Sequence, residues 1–256
     1  MFKNTLKFNK FIYLLIFSIV PTSLVAKELL MLTDDGPPHM IAASNSGIDV
    51  DIAREVLQRM GHTVKLGFAP LDRTKRQVEN KQADLFLPTF FQHDTDELFF
   101  SVPIISYRPT VFSLKKDHLM FKAISDLLGL RLVTFQGAAG YFGDEFVKVS
   151  KFKNYAELHD MSKFPEMLIK ARCDVVVLDY YIFYYYLQEY LKRNNTPDFN
   201  VDMIDSFQLF PEVKAHVGFH DKKLRNEFNK QFLLYQSQAK DKAVIHRYLG
   251  NMIPSQ

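Results

Sequence analysis

Gly47-Ile-Asp-Val-Asp-Ile-Ala-Arg-Glu-Val-Leu-Gln-Arg-Met-Gly61, read with Lys81-Gln-Ala-Asp-Leu-Phe-Leu-Pro-Thr89, sets the architecture of this chain. Ile52, Ala53, Val56, Leu57 and Met60 recur at helical spacing after Asp49. Asp49 and Asp51 stand at the helix start, where carboxylates favour the dipole, and Gly61 stands where a C-terminal stop belongs. Upstream, Glu28 to Leu32 is a short apolar run closed by the loop Thr33-Asp-Asp-Gly-Pro-Pro38. Downstream, His62 to Phe68 alternates as a strand, Leu71 to Asn80 reads as a helix, and Leu85-Phe-Leu87 as a third strand. Strand, helix, strand, helix, strand predicts a mostly parallel sheet.

A second series of the same kind follows the strand Tyr107 to Leu114 and the charged Lys115-Lys-Asp117. Ile124 to Leu128 reads as a short helix, Arg131 to Phe135 as a strand, and Gln136-Gly-Ala-Ala-Gly140 as a turn into a helix from Tyr141. Phe164 to Lys170 continues as helix. Asp174-Val-Val-Val-Leu-Asp179 has the unbroken apolar run of a parallel strand covered on both faces. An aromatic-rich helix from Tyr180 to Leu191, a returning strand at Glu212 to Phe219 and helices with Leu224, Phe228, Phe232 and Tyr235 on one face complete the pattern.

Residues 1–26 read as an export signal. Lys3, Lys7 and Lys10 precede the apolar run Phe11 to Val20, then Pro21 and a small-residue cut site ending at Ala26. The run is about half the roughly 20 residues that span a bilayer, and no Cys lies near the cut to carry a lipid. The expected location is the periplasm. Those 26 residues hold three Lys and no acid, so the basic balance belongs to the leader and residues 27–256 are formally neutral. A neutral mature chain gives no basic footprint for nucleic acid or an anionic membrane. Cys173 is the only cysteine, which excludes an intramolecular disulfide and fits a small buried hydrophobe.

With these pieces in order, the chain resembles the family 3 extracellular solute-binding proteins over nearly its whole mature length. The matching segments are Asp35-Gly-Pro-Pro38, Gly47 to Ala53, Lys81-Gln-Ala-Asp84, Phe99-Phe-Ser-Val-Pro103, Gly137, Asp174 to Asp179 and Val217-Gly-Phe219. The resemblance implies an α/β, two-lobed periplasmic-binding-protein-like fold of type II. Each lobe would be a mixed, mostly parallel sheet flanked by helices, with two hinge crossings. Lobe 1 would comprise residues 27–114 plus 210–256, and lobe 2 residues 115–209. A small polar solute, amino-acid-like or related, would bind between the lobes of a monomer. An inner-membrane ABC permease would be the partner, or the chain would be an orphan receptor.

Amino-acid binders of that family hold the ligand carboxylate with an Arg about five residues after a Thr or Ser and with a Gly-Thr turn. An Asp after the late strand takes the ammonium. Thr89 and Asp179 fall on two of those positions, but the Arg position falls on Asp94 and the turn is Gly137-Ala138. The carboxylate clamp is therefore incomplete. Arg73, at a helix start after Pro70, and Arg108, at the start of the strand entering the hinge, are the candidate replacements, with Arg76 one turn beyond Arg73. Each reads equally as a solvated surface Arg. Asp35 and His39 are candidate lobe 1 contacts, Asp35 also suiting a turn. Asp179 also suits a helix N-cap. Phe90, Phe91 and Tyr141 are candidate stacking groups, weighed against core packing in a chain with 24 Phe.

No metal set or cofactor motif is visible: His93 with Asp94 and Asp96 lacks a second His at ligand spacing. No nucleophile elbow, phosphate loop or Cys–His pair appears, so capture without chemistry is the expectation. The alternatives are a sensory or partner-docking module, and a periplasmic dehydratase-like enzyme on the same fold.

Overall fold

A computed structural model describes residues 27–91, 93–196 and 199–252. The expected export signal and its cut site lie outside the described residues. The first βα series forms as read. Strand β1 (Glu28–Thr33), helix α1 (Ile48–Arg59), β2 (Thr63–Phe68), α2 (Leu71–Glu79) and β3 (Leu85–Thr89) follow in order. β1 lies between β2 and β3, parallel to both. The short strand β4 (Phe99–Phe100) is followed by β5 (Ile105–Tyr107) and β6 (Pro109–Leu114).

The expected single strand from Tyr107 to Leu114 is broken at Arg108, and its two parts belong to different sheets. β5 pairs with a late strand of the first sheet, whereas β6 pairs in the second sheet. The first crossing between sheets is therefore at Arg108, earlier than the expected boundary after Leu114.

The second sheet gathers β6, β7 (Leu132–Phe135), β8 (Tyr155–Leu158), β9 (Val175–Asp179) and β10 (Ile204–Phe207) in the order β10-β6-β9-β7-β8. Its strands β8, β7 and β9 are parallel, with β6 and β10 antiparallel beyond them. The connecting helices are α3 (Ala138–Tyr141), α4 (Asp144–Ser150), α5 (Phe164–Ile169) and α6 (Tyr180–Asn194). The chain then returns to the first sheet through β11 (Val213–Phe219), antiparallel to β3, β4 and β5. Helices α7 (Lys222–Ser237) and α8 (Lys240–Leu249) end the fold, α8 packing on α1 and α7 and also on α6 of the other half.

β9 shows why both faces of each sheet must be covered. Val176 and Leu178 join one apolar cluster, while Val175 and Val177 join another with Phe121, Phe146 and Phe210. A matching device fixes the strand order in each half. Asp84, just before β3, accepts from the backbone N–H of Leu30 in β1 at 2.8 Å. Asp174, just before β9, accepts from the N–H of Arg131 at the start of β7, also at 2.8 Å. Each carboxylate satisfies an edge donor of the neighbouring strand and so pins the register.

Candidate functional site

The parallel strands of both sheets point their carboxyl ends toward one region, where ligands collect on open α/β sheets. From the first sheet, the loop after β1 enters this region and is clasped by the start of α1. The N–H groups of Ile48 and Asp49 donate to the carbonyls of Pro38 and His39 at 2.9 and 3.1 Å. Gly47 makes that approach possible. Its φ is 135°, and a Cβ there would lie 2.3 Å from the His39 carbonyl oxygen. The Gly-Ile-Asp-Val-Asp motif thus seats His39 as well as starting a helix.

His39 is 1% exposed and bridges the two halves. Its Nδ1 donates to Asp49 Oδ1 at 2.8 Å, and its Nε2 donates to Asp179 Oδ1 at 3.3 Å. Carboxylates only accept, so both ring nitrogens must carry protons and the ring is an imidazolium. Burial works against that charge. The pull of Asp49 and the hydrogen bonds to Asp179 and Asp49 outweigh it and raise the His39 pKa from 6.5 to about 10. Tyr107 stacks on the imidazole at 3.9 Å between centroids and donates its hydroxyl to Asp49 Oδ2 at 2.9 Å. Burial and the Asp49 charge push the Tyr107 phenol well above its usual pKa, which keeps that donor protonated.

Asp179 ends β9 and caps α6. Its Oδ1 also accepts from the N–H groups of Tyr181 and Ile182 at 2.9 and 3.1 Å, and its Oδ2 accepts from the N–H of Arg108 at 2.6 Å. The cap and the interlobe contact use the same carboxylate. Beside it opens a cavity of about 240 Å³ lined by Tyr107, Pro109, Phe135, Tyr141, Phe142, Met161, Leu178, Asp179 and Ile182. Asp179 is its one charged wall. A larger cavity, about 520 Å³, lies by Leu114, Lys115 and Phe199, at the far end of β6 from Pro109. It is remote from the strand ends where the halves meet, so the smaller cavity is the better candidate.

The residues singled out from sequence fall into two groups. Tyr141, half-exposed, and Asp179 line the cavity, His39 is bonded to Asp179, and Phe90 meets Tyr107 edge to face at 5.5 Å. The others lie elsewhere or are internally engaged. Asp94 forms a two-pronged ion pair with Arg225 of α7 at 2.9 Å and accepts from the Phe100 N–H, which holds its pKa down despite partial burial. It ties the segment between β3 and β4 to α7. Gly137 and Ala138 begin α3, but the turn's N–H groups at Gly137 and Ala139 donate to Glu157 at 2.8 and 3.0 Å. Thr89 is buried and caps its own turn through the Phe91 N–H at 3.3 Å. Asp35 is exposed and closes the loop to Ala42 at 2.9 Å.

Arg73 is exposed on the first turn of α2 and lines neither the aromatic cavity nor the one at the hinge. Arg108 lines that hinge cavity, about 330 Å³, with Glu212 and Asp241. Its guanidinium lies over the rings of Tyr180 and Tyr181 at 4.0 and 5.3 Å. Its backbone N–H, not its charge, serves the aromatic site. Phe91 is exposed, under the ammonium of Lys75 at 5.4 Å.

Asp49, Tyr107 and Glu157 are the participants that sequence reading passed over. Asp49 had a visible signal: with Ile52, Ala53 and Val56 it lies at apolar-face spacing, and a carboxylate there demands a buried partner. Glu157 had none, because its partners are reached only through the fold.

Among the described residues, no group of three or more His, Cys, Asp or Glu side chains is placed to hold a metal ion. No helix among them is long and apolar enough to cross a membrane. No family model matches the sequence, and no curated protein matches it. Solved structures do. An ancestral cationic amino acid solute-binding protein superposes with a TM-score of 0.69 at 16% identity, over 87% of this chain and 95% of that one. The L-cystine solute receptor of Neisseria gonorrhoeae, in its unliganded open conformation, gives 0.65 at 13% identity over 91% and 97%. A histidine kinase sensor domain similar to periplasmic binding proteins gives 0.59 at 14% identity over 87% and 96%. The chain has the two-lobed α/β fold that these binding proteins share.

Proposed function

We propose that this protein is a periplasmic solute-binding protein that captures one small molecule between its lobes, without transforming it. The aromatic cavity carries the reading. It opens at the carboxyl ends of β7 and β9, beside a His39–Asp179 contact that joins the two halves. A solute seated there touches the element that holds the lobes together, so binding and lobe arrangement are coupled. The partner that reads the closed form is an inner-membrane ABC permease, and the capture unit is a monomer. The export signal at residues 1–26 and the similarity to solute-binding proteins of known structure support that assignment.

Tyr107, Asp49, His39 and Asp179 form one hydrogen-bonded chain, but the partners of each are internal and, among the described residues, no Ser or Cys side chain is hydrogen-bonded to them. That arrangement favours holding over turnover. A thermal-shift screen across amino acids, small carboxylates, amines, oligopeptides and small aromatics tests the proposal, since a ligand of the native state raises the melting temperature by mass action. At least one class should raise it in a saturable manner, and the shift should disappear in Tyr141→Ala. A screen in which no class stabilises the protein contradicts capture.

A further inference from the structure

The groups that the sequence resemblance assigns to a charged ligand are already matched within the chain. The backbone donors at Gly137 and Ala139 are taken by Glu157, which also accepts the Tyr155 hydroxyl at 2.5 Å. Asp179 faces the His39 imidazolium and three backbone N–H groups. Asp94, at the position where the sequence resemblance places an Arg, is paired with Arg225. Neither Arg73 nor Arg108 lines the cavity. A ligand carboxylate would find no cation on the cavity wall, and a ligand ammonium would find only Asp179 Oδ2, on a carboxylate that the His39 imidazolium already faces. Burying a carboxylate there without a partner costs several kcal/mol, and the one open Asp179 oxygen can satisfy a single N–H of an ammonium's three.

What the wall does offer is aromatic and aliphatic. Tyr107, Phe135, Tyr141 and Phe142 bring four rings, with Met161 and Ile182 between them. Such a surface packs on a ring by edge and face contacts. An apolar cavity of roughly 150 Å³ is enough for benzene, so about 240 Å³ fits one ring with small substituents. Two polar groups are open, the Tyr141 hydroxyl, which makes no hydrogen bond among the described residues, and Asp179. Asp179 Oδ2 has a single donor, the Arg108 N–H, and a carboxylate oxygen accepts two.

We infer that the cavity takes a small uncharged aromatic molecule bearing one hydrogen-bond donor, a simple phenol being the type, rather than a zwitterionic amino acid. The ring packs among Phe135, Tyr141 and Phe142, and the hydroxyl donates to Asp179 Oδ2. This deepens the capture reading and rests on it, while narrowing the solute from polar and amino-acid-like to neutral and aromatic.

Calorimetric titration of the protein with four compounds sharing one ring tests this: p-cresol, tyramine, 4-hydroxyphenylacetate and L-tyrosine. They carry no charge, a cation, an anion and both. We expect p-cresol to bind about tenfold or more tightly than each of the others, a difference of about 1.4 kcal/mol or more. We also expect Tyr141→Ala, a half-exposed position, to weaken p-cresol by about tenfold without lowering the melting temperature. Equal or tighter binding of any charged member overturns the inference and leaves capture standing. Unchanged p-cresol affinity in Tyr141→Ala also overturns it, by placing the phenol elsewhere. Binding of none of the four overturns it too. Titration with the common amino acids then separates the two readings, because a hit preserves capture and none removes both.

Discussion

Asp49 shows how one misplaced-looking residue organises a site. It sits on the apolar face of α1, fully buried, and is held by the His39 imidazolium and the Tyr107 hydroxyl. Removing either partner leaves a buried carboxylate short of donors, at a cost of about 1–3 kcal/mol or more. The pH dependence follows from His39. Its folded pKa of about 10 lies above the unfolded value near 6.5. Its contribution to stability is therefore fully present below about pH 6.5 and is lost as pH rises toward 10. The melting temperature should fall over that window by an amount that is absent in His39→Gln. The difference between the two proteins isolates His39 from the lysines and tyrosines that also titrate at high pH. An identical fall in both would show that His39 carries no buried charge. At Gly47 the backbone gives an equally definite expectation. Gly47→Ala places a Cβ 2.3 Å from the His39 carbonyl at a φ of 135°. It should destabilise the fold by about 2 kcal/mol or more in chemical denaturation, and weaken solute binding with it.

The elements divide into those that periodicity predicts and those that depend on the partner half. α1 and α7 carry apolar residues at helical spacing and β3 and β9 carry unbroken apolar runs, and with α2 they form where the sequence places them. β8 was invisible because Tyr155-Ala-Glu-Leu158 is partly buried at every position and shows no alternation. The break at Arg108 was hidden because Tyr107 to Leu114 reads as one strand, although β5 and β6 have hydrogen-bond partners in different sheets. The site was legible in the same uneven way. Asp179 ends an obvious buried strand, while the Glu157 clamp on α3 joins residues 18 and 20 positions apart. The placement of α2 yields a further expectation. Arg73 is exposed on its first turn and lines neither cavity near the cleft, so Arg73→Ala should leave solute affinity within about twofold of wild type. A loss of tenfold or more would move the binding surface onto α2.

At the scale of the molecule, two similar halves are joined by the crossing at Arg108, by the return from β10 to β11, and by α8 packing on α6. Near the aromatic cavity, His39 and Asp179 add a direct bridge between the halves. Through Tyr107 and the Asp179–His39 bridge, a small molecule in the cavity can influence both halves at once. Hydrogen exchange tests that claim most directly, comparing the protein alone with the protein saturated by the compound the thermal-shift screen returns. Bound solute should slow exchange together at Tyr107 in the first sheet and at Tyr181 and Ile182 at the start of α6. Protection confined to one half, or centred on the hinge cavity around Glu212 and Asp241, would contradict capture between the lobes.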